Sequence, residues 1–321
     1  MFGLAAGALA PFASFSQQQK PTLPVIGLLG SMSADSSVKQ LIGLRAGLTE
    51  HGFVEGQNIA IQALWSDGQY DRLPALASEF VKRNVNVILA AGLPAAQAAK
   101  AATARIPIVF VMGADPVKLG IVSSMSRPDG NLTGISQLFG ALGGKRLELL
   151  GEIVPKAKLI AVLSNPDNSN AESHVKEIEA AAKLVKMKVQ VFAARTGIEI
   201  DAAFKKMLQA HASALLVADD PRFTLERRRI VGQASSHRIP AIHYSRDFAE
   251  AGGLLSYGSS GGDNYRLAGA YVGRILKGAM PADLPVLQPT KFELVVNMKT
   301  AKALRVAIPP SVRLRADELI E

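Results

Sequence analysis

Short apolar strands alternate with helical patterns along this sequence, and the alternation runs through the chain twice. In the first half we predict strands at Val25–Leu29, Ile59–Trp65, Val85–Ala90, Ile108–Met112 and Leu132–Ile135. Between these strands we predict helices at Lys39–Glu50, Arg72–Lys82, Ala95–Ala102 and Pro116–Met125. Fully apolar strands separated by helices of this length are typical of βαβ units, so we expect a parallel sheet covered on both faces.

The second half repeats this order. Its predicted helices are Glu172–Val185 and Ala202–Ala210, and its predicted strands are Leu159–Leu163, Val189–Ala193, Leu215–Ala218, Ile239–Tyr244 and Leu254–Ser256. The tripeptide Arg105-Ile106-Pro107 returns as Arg238-Ile239-Pro240, at nearly the offset that separates the two opening strands. We therefore predict two similar α/β lobes, a division that a length of 321 residues allows.

Composition excludes several kinds of function. The chain has no cysteine, so it has no disulfides, thiolate nucleophiles or thiolate metal sites. It carries 36 Lys and Arg against 27 Asp and Glu, a net charge of +9. A nucleic-acid-binding surface clusters its basic residues, and the one dense run here is Arg222 with Arg227, Arg228 and Arg229. A solvated helix face explains this run better than a binding patch, so we expect no nucleic-acid partner.

The N-terminus differs in kind from the rest, since residues 1–19 contain no charged side chain. The apolar stretch Phe2–Phe15 is too short to span a bilayer and has the length of a secretory h-region, with the small residues Ser14 and Ser16 placed for cleavage. A positively charged segment before it is missing, which leaves an unstructured N-terminus as the alternative. We predict a signal-peptide-like leader and linker over residues 1–23, and export to the periplasm or another extracytoplasmic compartment.

The loops that follow the strands are the places to look for a site, because ligands of open α/β sheets bind beyond the carboxyl ends of the strands. Two lobes of this kind would present such loops to each other across a cleft. The candidate ligand-binding residues are Ser31, Met32, Trp65, Gly92, Pro94, Asp115, Asn165, Asp219, Asp220, Tyr244 and Phe248.

Each candidate also has a purely structural explanation. Ser31 and Asp115 can cap the helix that follows them, and we favour capping for Asp115. The turn 92–94 offers backbone N–H groups to an anion but equally suits a plain tight turn. For Asp220 we favour binding of a substrate ammonium, because two adjacent carboxylates exceed what a helix cap requires. The aromatic candidates can form cleft walls or ordinary core.

Signals for catalysis are poor. None of the five histidines falls in an HExxH motif, and the sequence has no Walker A motif. The loop 258–262 resembles a phosphate loop only superficially and is better explained as a crossover between lobes. We predict a binding protein without enzymatic activity, cofactor or metal.

Several further segments together resemble one family. They are GLTEHGFVEGQN at 47–58, Ile106–Val109 with Asp115-Pro116, RPDGNLTG at 127–134, FAEAGGL at 248–254, SYG at 256–258, PTKFELVVN at 289–297 and KTAKAL at 299–304. From residue 24 to 321 the chain resembles the periplasmic solute-binding proteins of ABC importers, in the type I two-lobe class. It is similar in particular to the branch that includes the tryptophan and aromatic-amino-acid binding proteins.

This resemblance implies an α/β fold of two Rossmann-like lobes with parallel sheets and a hinge, the periplasmic binding protein type I or Venus-flytrap architecture. An N-terminal lobe would comprise 24–136 and 257–286, and a C-terminal lobe 137–256 and 287–321. The chain would cross between them near 136–140, 254–258 and 285–290. Closure over a solute, an aromatic or branched amino acid or a related carboxylate, is then a population shift towards the form that binds it better.

The expected partners are that small solute and an ABC permease in the membrane, and the expected state is a monomer. Relatives often have Pro-Asp-Pro after the third strand of the second lobe, where this chain has Asp219-Asp220-Pro221.

Two alternatives stay open. One is a ligand-sensing module of a receptor or regulator, although residues 1–23 are too few and too apolar for a helix-turn-helix. The other is an enzyme that uses Asp115 and Asp220, which the missing nucleophile or metal set disfavours.

Overall fold

The first lobe is built on a five-stranded sheet that is entirely parallel. The computed structural model describes residues 23–137 and 142–321, so nearly all of the predicted leader lies outside the described residues. Every residue of the third, fourth and fifth strands is buried, as expected for a sheet covered on both faces. The strand order is β2-β1-β3-β4-β5, with β1 Val25–Gly30, β2 Ala60–Trp65, β3 Val87–Ala91, β4 Ile108–Met112 and β5 Leu132–Ser136.

Helices cover both faces of this sheet. One face carries α2 (Leu73–Lys82) and α3 (Leu93–Ala102), and the other carries α1 (Val38–Glu50) and α10 (Gly261–Leu276). The last two run side by side, since a Cβ on Gly43 would meet the backbone oxygen of Gly262 at 2.2 Å and one on Gly47 that of Arg266 at 1.9 Å. The N-termini of α1 and α10 therefore both lie at the edge of the sheet where the parallel strands have their carboxyl ends.

The second lobe is built on a seven-stranded sheet in the order β12-β11-β10-β9-β8-β6-β7. Its pairs are parallel except for β10 with β11, which is antiparallel. The strands are β6 Ile160–Ser164, β7 Val189–Ala193, β8 Ala214–Val217, β9 Ala241–His243, β10 Leu255–Ser259, β11 Phe292–Asn297 and β12 Glu318–Ile320. The helices are α4 Gly143–Ile153, α5 Ala171–Leu184, α6 Gly197–Gln209, α7 Pro221–Leu225, α8 Arg227–Ser236, α9 Arg246–Glu250, α11 Met298–Leu304 and α12 Pro310–Arg315.

The chain leaves the first sheet after β5 and returns to the first lobe after β10. It leaves the first lobe again after the segment around Leu287. Leu287 still bridges Ile135 of β5, and β11 then joins the second sheet. Two α/β lobes with mainly parallel sheets confirm the predicted fold class. The lobe boundaries stay a prediction, and the one placed between residues 256 and 257 falls inside β10. Within the described ranges, no helix is long and apolar enough to cross a membrane.

The helix predicted at Pro116–Met125 is wrong. The chain forms a hydrogen-bonded turn there, because Oδ1 of Asp115 accepts from the backbone N–H of Val117 at 2.9 Å and of Lys118 at 3.1 Å. Gly120 then adopts a φ of +62°. A right-handed helix cannot continue through that left-handed conformation.

Candidate functional site

The carboxyl ends of the two sheets face each other across a cavity of about 390 Å³, a volume within the range of small-molecule sites. From the first lobe, its wall includes the loop after β1, the first turns of α1, α3 and α10, and the end of β4. From the second lobe come the loops after β6, β8 and β9. The cavity therefore occupies the place where ligands bind in open α/β sheets.

The N-terminus of α3 forms part of the first-lobe wall. Gly92 there adopts φ +102° and ψ 155°, a conformation nearly restricted to glycine, and its N–H donates to the oxygen of Val111 at 2.8 Å. The Oγ of Ser31 is buried next to Gly92 and has no hydrogen-bond partner in the part of the chain that the structure describes. Backbone N–H groups of a first helical turn, the helix dipole and this hydroxyl together suit an anion.

Asp219 follows β8 and lines the opposite wall. Burial raises the pKa of its carboxyl to about 7; the positive charge of Arg146 opposes this rise and the charge of Asp220 adds to it. Arg146 is fully buried on α4, where its Nε donates to the oxygen of Tyr257 at 2.8 Å. Burial lowers the pKa of Arg146 to about 10, so it stays protonated at neutral pH. The second-lobe wall thus presents a carboxyl group that titrates near neutrality.

Asp220 does not line this cavity, although the sequence favoured it as a ligand contact. Its Oδ1 accepts hydrogen bonds from Tyr70 Oη at 3.0 Å, Asn165 Nδ2 at 3.1 Å and the N–H of Arg222 at 2.9 Å. Its Oδ2 accepts from Asn168 Nδ2 at 2.9 Å. Burial raises its pKa, and the hydrogen bonds from the asparagines and Tyr70 oppose the rise. Asp220 therefore caps α7 and also joins the lobes, since Tyr70 belongs to the first.

Of the two aromatic candidates after β9, Tyr244 lines the cavity and Phe248 belongs to the core. The Oη of Tyr244 donates to the backbone oxygen of Asp220 at 2.7 Å and accepts from Oγ1 of Thr224 at 2.6 Å. The ring of Phe248 is fully buried and stacks on His243, with centroids 4.4 Å apart.

The remaining candidates are dispersed. Met32 lines the cavity, whereas Pro94 lies in the first turn of α3 beside it. Trp65 covers Gly30, on which a Cβ would lie 2.0 Å from the indole ring, so Trp65 is part of the packing at the sheet edge. Asp115 caps its own turn and lines a second space of about 360 Å³ between the lobes.

Four of the predicted residues share the cavity wall: Met32, Gly92, Asp219 and Tyr244. Sequence reasoning missed Lys39, Gln40, Gln137, Asn168, Thr224, Arg246, Asp247, Ser260, Tyr265 and Glu293, which also line it. Asn168 lies in the loop after β6, and Arg246 begins α9 shortly after β9, so their position behind predicted strands was a usable signal. The residues of α1, α10 and β11 could not be found that way, because their place depends on how the two lobes are connected.

Ion pairs of Lys39 and a hydrogen bond from Arg222 join the lobes. Nζ of Lys39 on α1 lies 3.4 Å from Oδ1 of Asp247 on α9 and also contacts Glu250. The side chain of Arg222 donates to the backbone oxygen of Gly68. Each exposed pair contributes little by itself, but together they mark the arrangement as closed.

The loop between β10 and α10 has the spacing GxSxG, which also occurs at hydrolase nucleophile elbows. Ser260 in this loop has an ordinary φ of −65°, and its Oγ accepts from the N–H of Asp263 at 3.3 Å. No histidine is found among the described residues that line the cavity. Nor do those residues contain a group of His, Asp and Glu able to hold a metal ion. The loop therefore acts as a helix cap at a lobe crossover.

Comparison with known proteins agrees with this geometry. A family profile described as "ABC transporter substrate binding protein" matches residues 25–320. The "Tyrosine-binding protein" of Clostridioides difficile is 29% identical over 289 residues, which cover 90% of this chain and 82% of that protein. A Streptococcus pneumoniae ABC domain in complex with L-Trp superposes with a TM-score of 0.85 and 26% identity, covering 93% of this chain and 100% of that one. The ligand-free, open structure of a Clostridium difficile substrate-binding protein gives a TM-score of 0.67 and 26% identity, covering 92% and 99%.

Proposed function

This chain belongs to the family of ABC transporter substrate-binding proteins, and we propose that it captures a free amino acid between its lobes and delivers it to a membrane permease. The solute class is an aromatic or branched amino acid or a related carboxylate. The observation that carries the proposal is the interlobe cavity with a carboxyl group, Asp219, on one wall and a helix N-terminus on the other.

Asp219 is the partner for the ligand ammonium. An ammonium brought next to its carboxyl favours the ionised form and so lowers the pKa from the value near 7 of the empty site. The resulting charge-assisted hydrogen bond is shielded from solvent once the lobes close. The neighbouring Asn168 donates its amide to Asp220, which keeps that second carboxylate engaged elsewhere.

The ligand carboxylate is received by the first turn of α3. Pro94 has no N–H, so Leu93 and Ala95 supply the free donors of this turn, and Ser31 adds its buried hydroxyl beside Gly92. Because Gly92 has no side chain, the backbone is open to the ligand at this point. The two charged ends of an amino acid would thus be held by different lobes, which links binding to closure.

Apolar groups fill the wall between these two ends. Met32, Leu93, Val111, Met112 and Tyr265 all contribute to it. Such a surface suits an aromatic or branched side chain, whose burial is favourable by about 25 cal/mol per Å² of apolar area. The greater similarity to the L-Trp complex than to the open, ligand-free structure supports a liganded form with closed lobes.

We further propose that the N-terminal leader directs export and that the protein acts as a monomer without chemistry of its own. The enzyme alternative needed Asp115 and Asp220 to face each other across the cleft. Asp115 instead lines a separate space, and Asp220 has four hydrogen-bond donors around it. Neither is placed to act on a solute in the main cavity.

Native mass spectrometry of protein purified without added solute tests this function. We expect a 1:1 complex whose mass excess matches an amino acid and disappears after unfolding and refolding in buffer. A thermal-shift screen of the ligand-free protein with amino acids and aromatic acids should then identify the solutes that raise the melting temperature. No mass excess and no stabilisation by any of them would contradict the proposal.

A further inference from the structure

Gln40 is a polar residue on the cavity wall whose role the binding of a zwitterion does not explain. It lies in the first turns of α1, and its Nε2 is 3.7 Å from where a Cβ on Gly261 would be, so it lies against the start of α10. Its Oε1 is buried and has no hydrogen-bond partner in the described ranges. A buried amide oxygen without a donor is costly, and native proteins rarely keep one without a reason.

Other polar side chains on this wall do have partners. Lys39, the preceding residue, pairs with Asp247 of the second lobe, and Arg246 donates to Glu250 at 2.8 Å. Tyr244 bonds Thr224. Among the described residues that line the cavity, Gln40 alone carries a buried side-chain atom without a hydrogen-bond partner. The occupant of the cavity is therefore a source for the missing donor.

The two charged groups of an amino acid already have places elsewhere. The proposed ammonium partner, Asp219, follows β8 in the second lobe, and the proposed carboxylate seat follows β3 at the start of α3. Gln40 belongs to a third element, α1, and shares the cavity wall with Met32 and Tyr265, to which the ligand side chain is assigned. An acceptor there calls for a third polar group on the ligand.

We propose that Gln40 determines specificity by accepting a hydrogen bond from the ligand's side chain. The preferred solutes are then amino acids whose side chain carries a donor on an otherwise apolar body, such as a hydroxyl group. This inference rests on the proposed function, because it assigns the third contact of the same bound amino acid. A site built to bond a hydroxyl rejects the analogue that lacks it, since the buried acceptor is then left unpaired.

Calorimetric titration with matched solute pairs tests the assignment. Tyrosine with phenylalanine and threonine with valine differ mainly by one hydroxyl group. In the wild-type protein the hydroxylated member of the pair that fits should bind about 10-fold or more tightly than its partner. Gln40→Met, which keeps the length of the side chain and removes its polar atoms, should abolish that difference by weakening the hydroxylated solute alone.

A Gln40→Glu variant keeps an oxygen acceptor and should retain the preference, and unchanged melting temperatures of the ligand-free variants would show that they fold. Equal loss for both members of a pair in Gln40→Met would overturn the inference, because Gln40 would then contact a group that all amino acids share. Equal wild-type affinity within both pairs would overturn it as well. Binding of no amino acid at all would instead contradict the proposed function itself.

Discussion

Tyr70 of the first lobe donates a hydrogen bond from its Oη to Oδ1 of Asp220 in the second lobe, at 3.0 Å. The guanidinium of Arg222 lies over the Tyr70 ring, 5.6 Å from its centroid, and reaches the backbone oxygen of Gly68. The other donors to Asp220 come from its own lobe, from Asn165, Asn168 and the backbone of residue 222. The contact from Tyr70 is therefore the one that depends on closure, and it ties a buried carboxylate to the position of the opposite lobe.

Replacing Tyr70 by Phe removes this interlobe hydrogen bond and leaves the ring in place. We expect ligand affinity to fall about 5-fold, because one hydrogen bond to a buried carboxylate is lost only from the closed form. Titration calorimetry measures the loss. Tyr271→Phe is the matched control, since the Oη of Tyr271 bonds the backbone oxygen of Pro285 outside the cavity. Equal losses in both variants would argue against a role of Tyr70 in closure.

The affinity of this protein should depend on pH through Asp219. The carboxyl of the free site has a pKa of about 7, and an ammonium binds the ionised form. Below that pKa a proton must leave first, so affinity should fall by about 10-fold between pH 8 and pH 6. Titrations at several pH values check this. Asp219→Asn should bind more weakly and lose the pH dependence; a variant that keeps the slope would place the titrating group elsewhere.

Gly92→Ala should weaken binding by about 10-fold or more and lower stability as well. A Cβ there would lie 2.9 Å from Oγ of Ser31 and 3.5 Å from Cγ of Pro221 in the opposite lobe, and φ would remain near +102°. The methyl group would crowd both the helix N-terminus and the closing lobe. Gly130→Ala is the control: its φ is +68° with nothing within 4 Å of a Cβ. It should lose about 1 kcal/mol of stability and keep its affinity.

Two buried histidines should make the protein sensitive to mild acid. Burial and, to a smaller extent, the positive charge of Arg146 lower the pKa of both His174 and His243 to about 3. The unfolded chain takes up protons first as pH falls below about 6.5, so each histidine should cost about 1.4 kcal/mol of stability per pH unit there. Urea unfolding at pH 6.0 and 5.0 measures this slope.

Replacing each of these two histidines by Gln should reduce the slope, whatever it does to the stability at pH 7. The exposed His237 offers the control, and its replacement by Gln should leave the slope unchanged. Equal slopes in all three variants would show that other groups cause the acid sensitivity.

Sequence periodicity predicted the strands of both sheets down to β10, because their residues are mainly apolar even in the edge strands β2 and β7, which are only partly buried. It did not reveal α10, whose start forms part of the cavity wall only because the chain returns to the first lobe there. The acidic pair after β8 shows a further limit. The sequence favoured Asp220 as the ligand contact, whereas the fold surrounds Asp220 with donors and leaves Asp219 on the wall. Which of two adjacent carboxyl groups faces the cavity is decided by the direction of the backbone, and the sequence does not show that direction.

Gln40 could not be selected from sequence for a different reason. Glutamine on a helix is most often solvated, and nothing local distinguishes this one. Its buried, unpartnered oxygen results from the approach of α10 to α1 through glycines at positions 43 and 47. That approach depends on residues more than two hundred positions apart in the chain.

Titration calorimetry of the refolded, ligand-free protein with individual amino acids tests the central claim most directly. We predict saturable 1:1 binding of at least one aromatic or branched amino acid, with a negative heat-capacity change from burial of its side chain. The same titration should weaken markedly when the α-amino group is absent from the solute or when Asp219 is replaced by Asn. Tight binding that ignores both changes, or no binding of any amino acid, would contradict it.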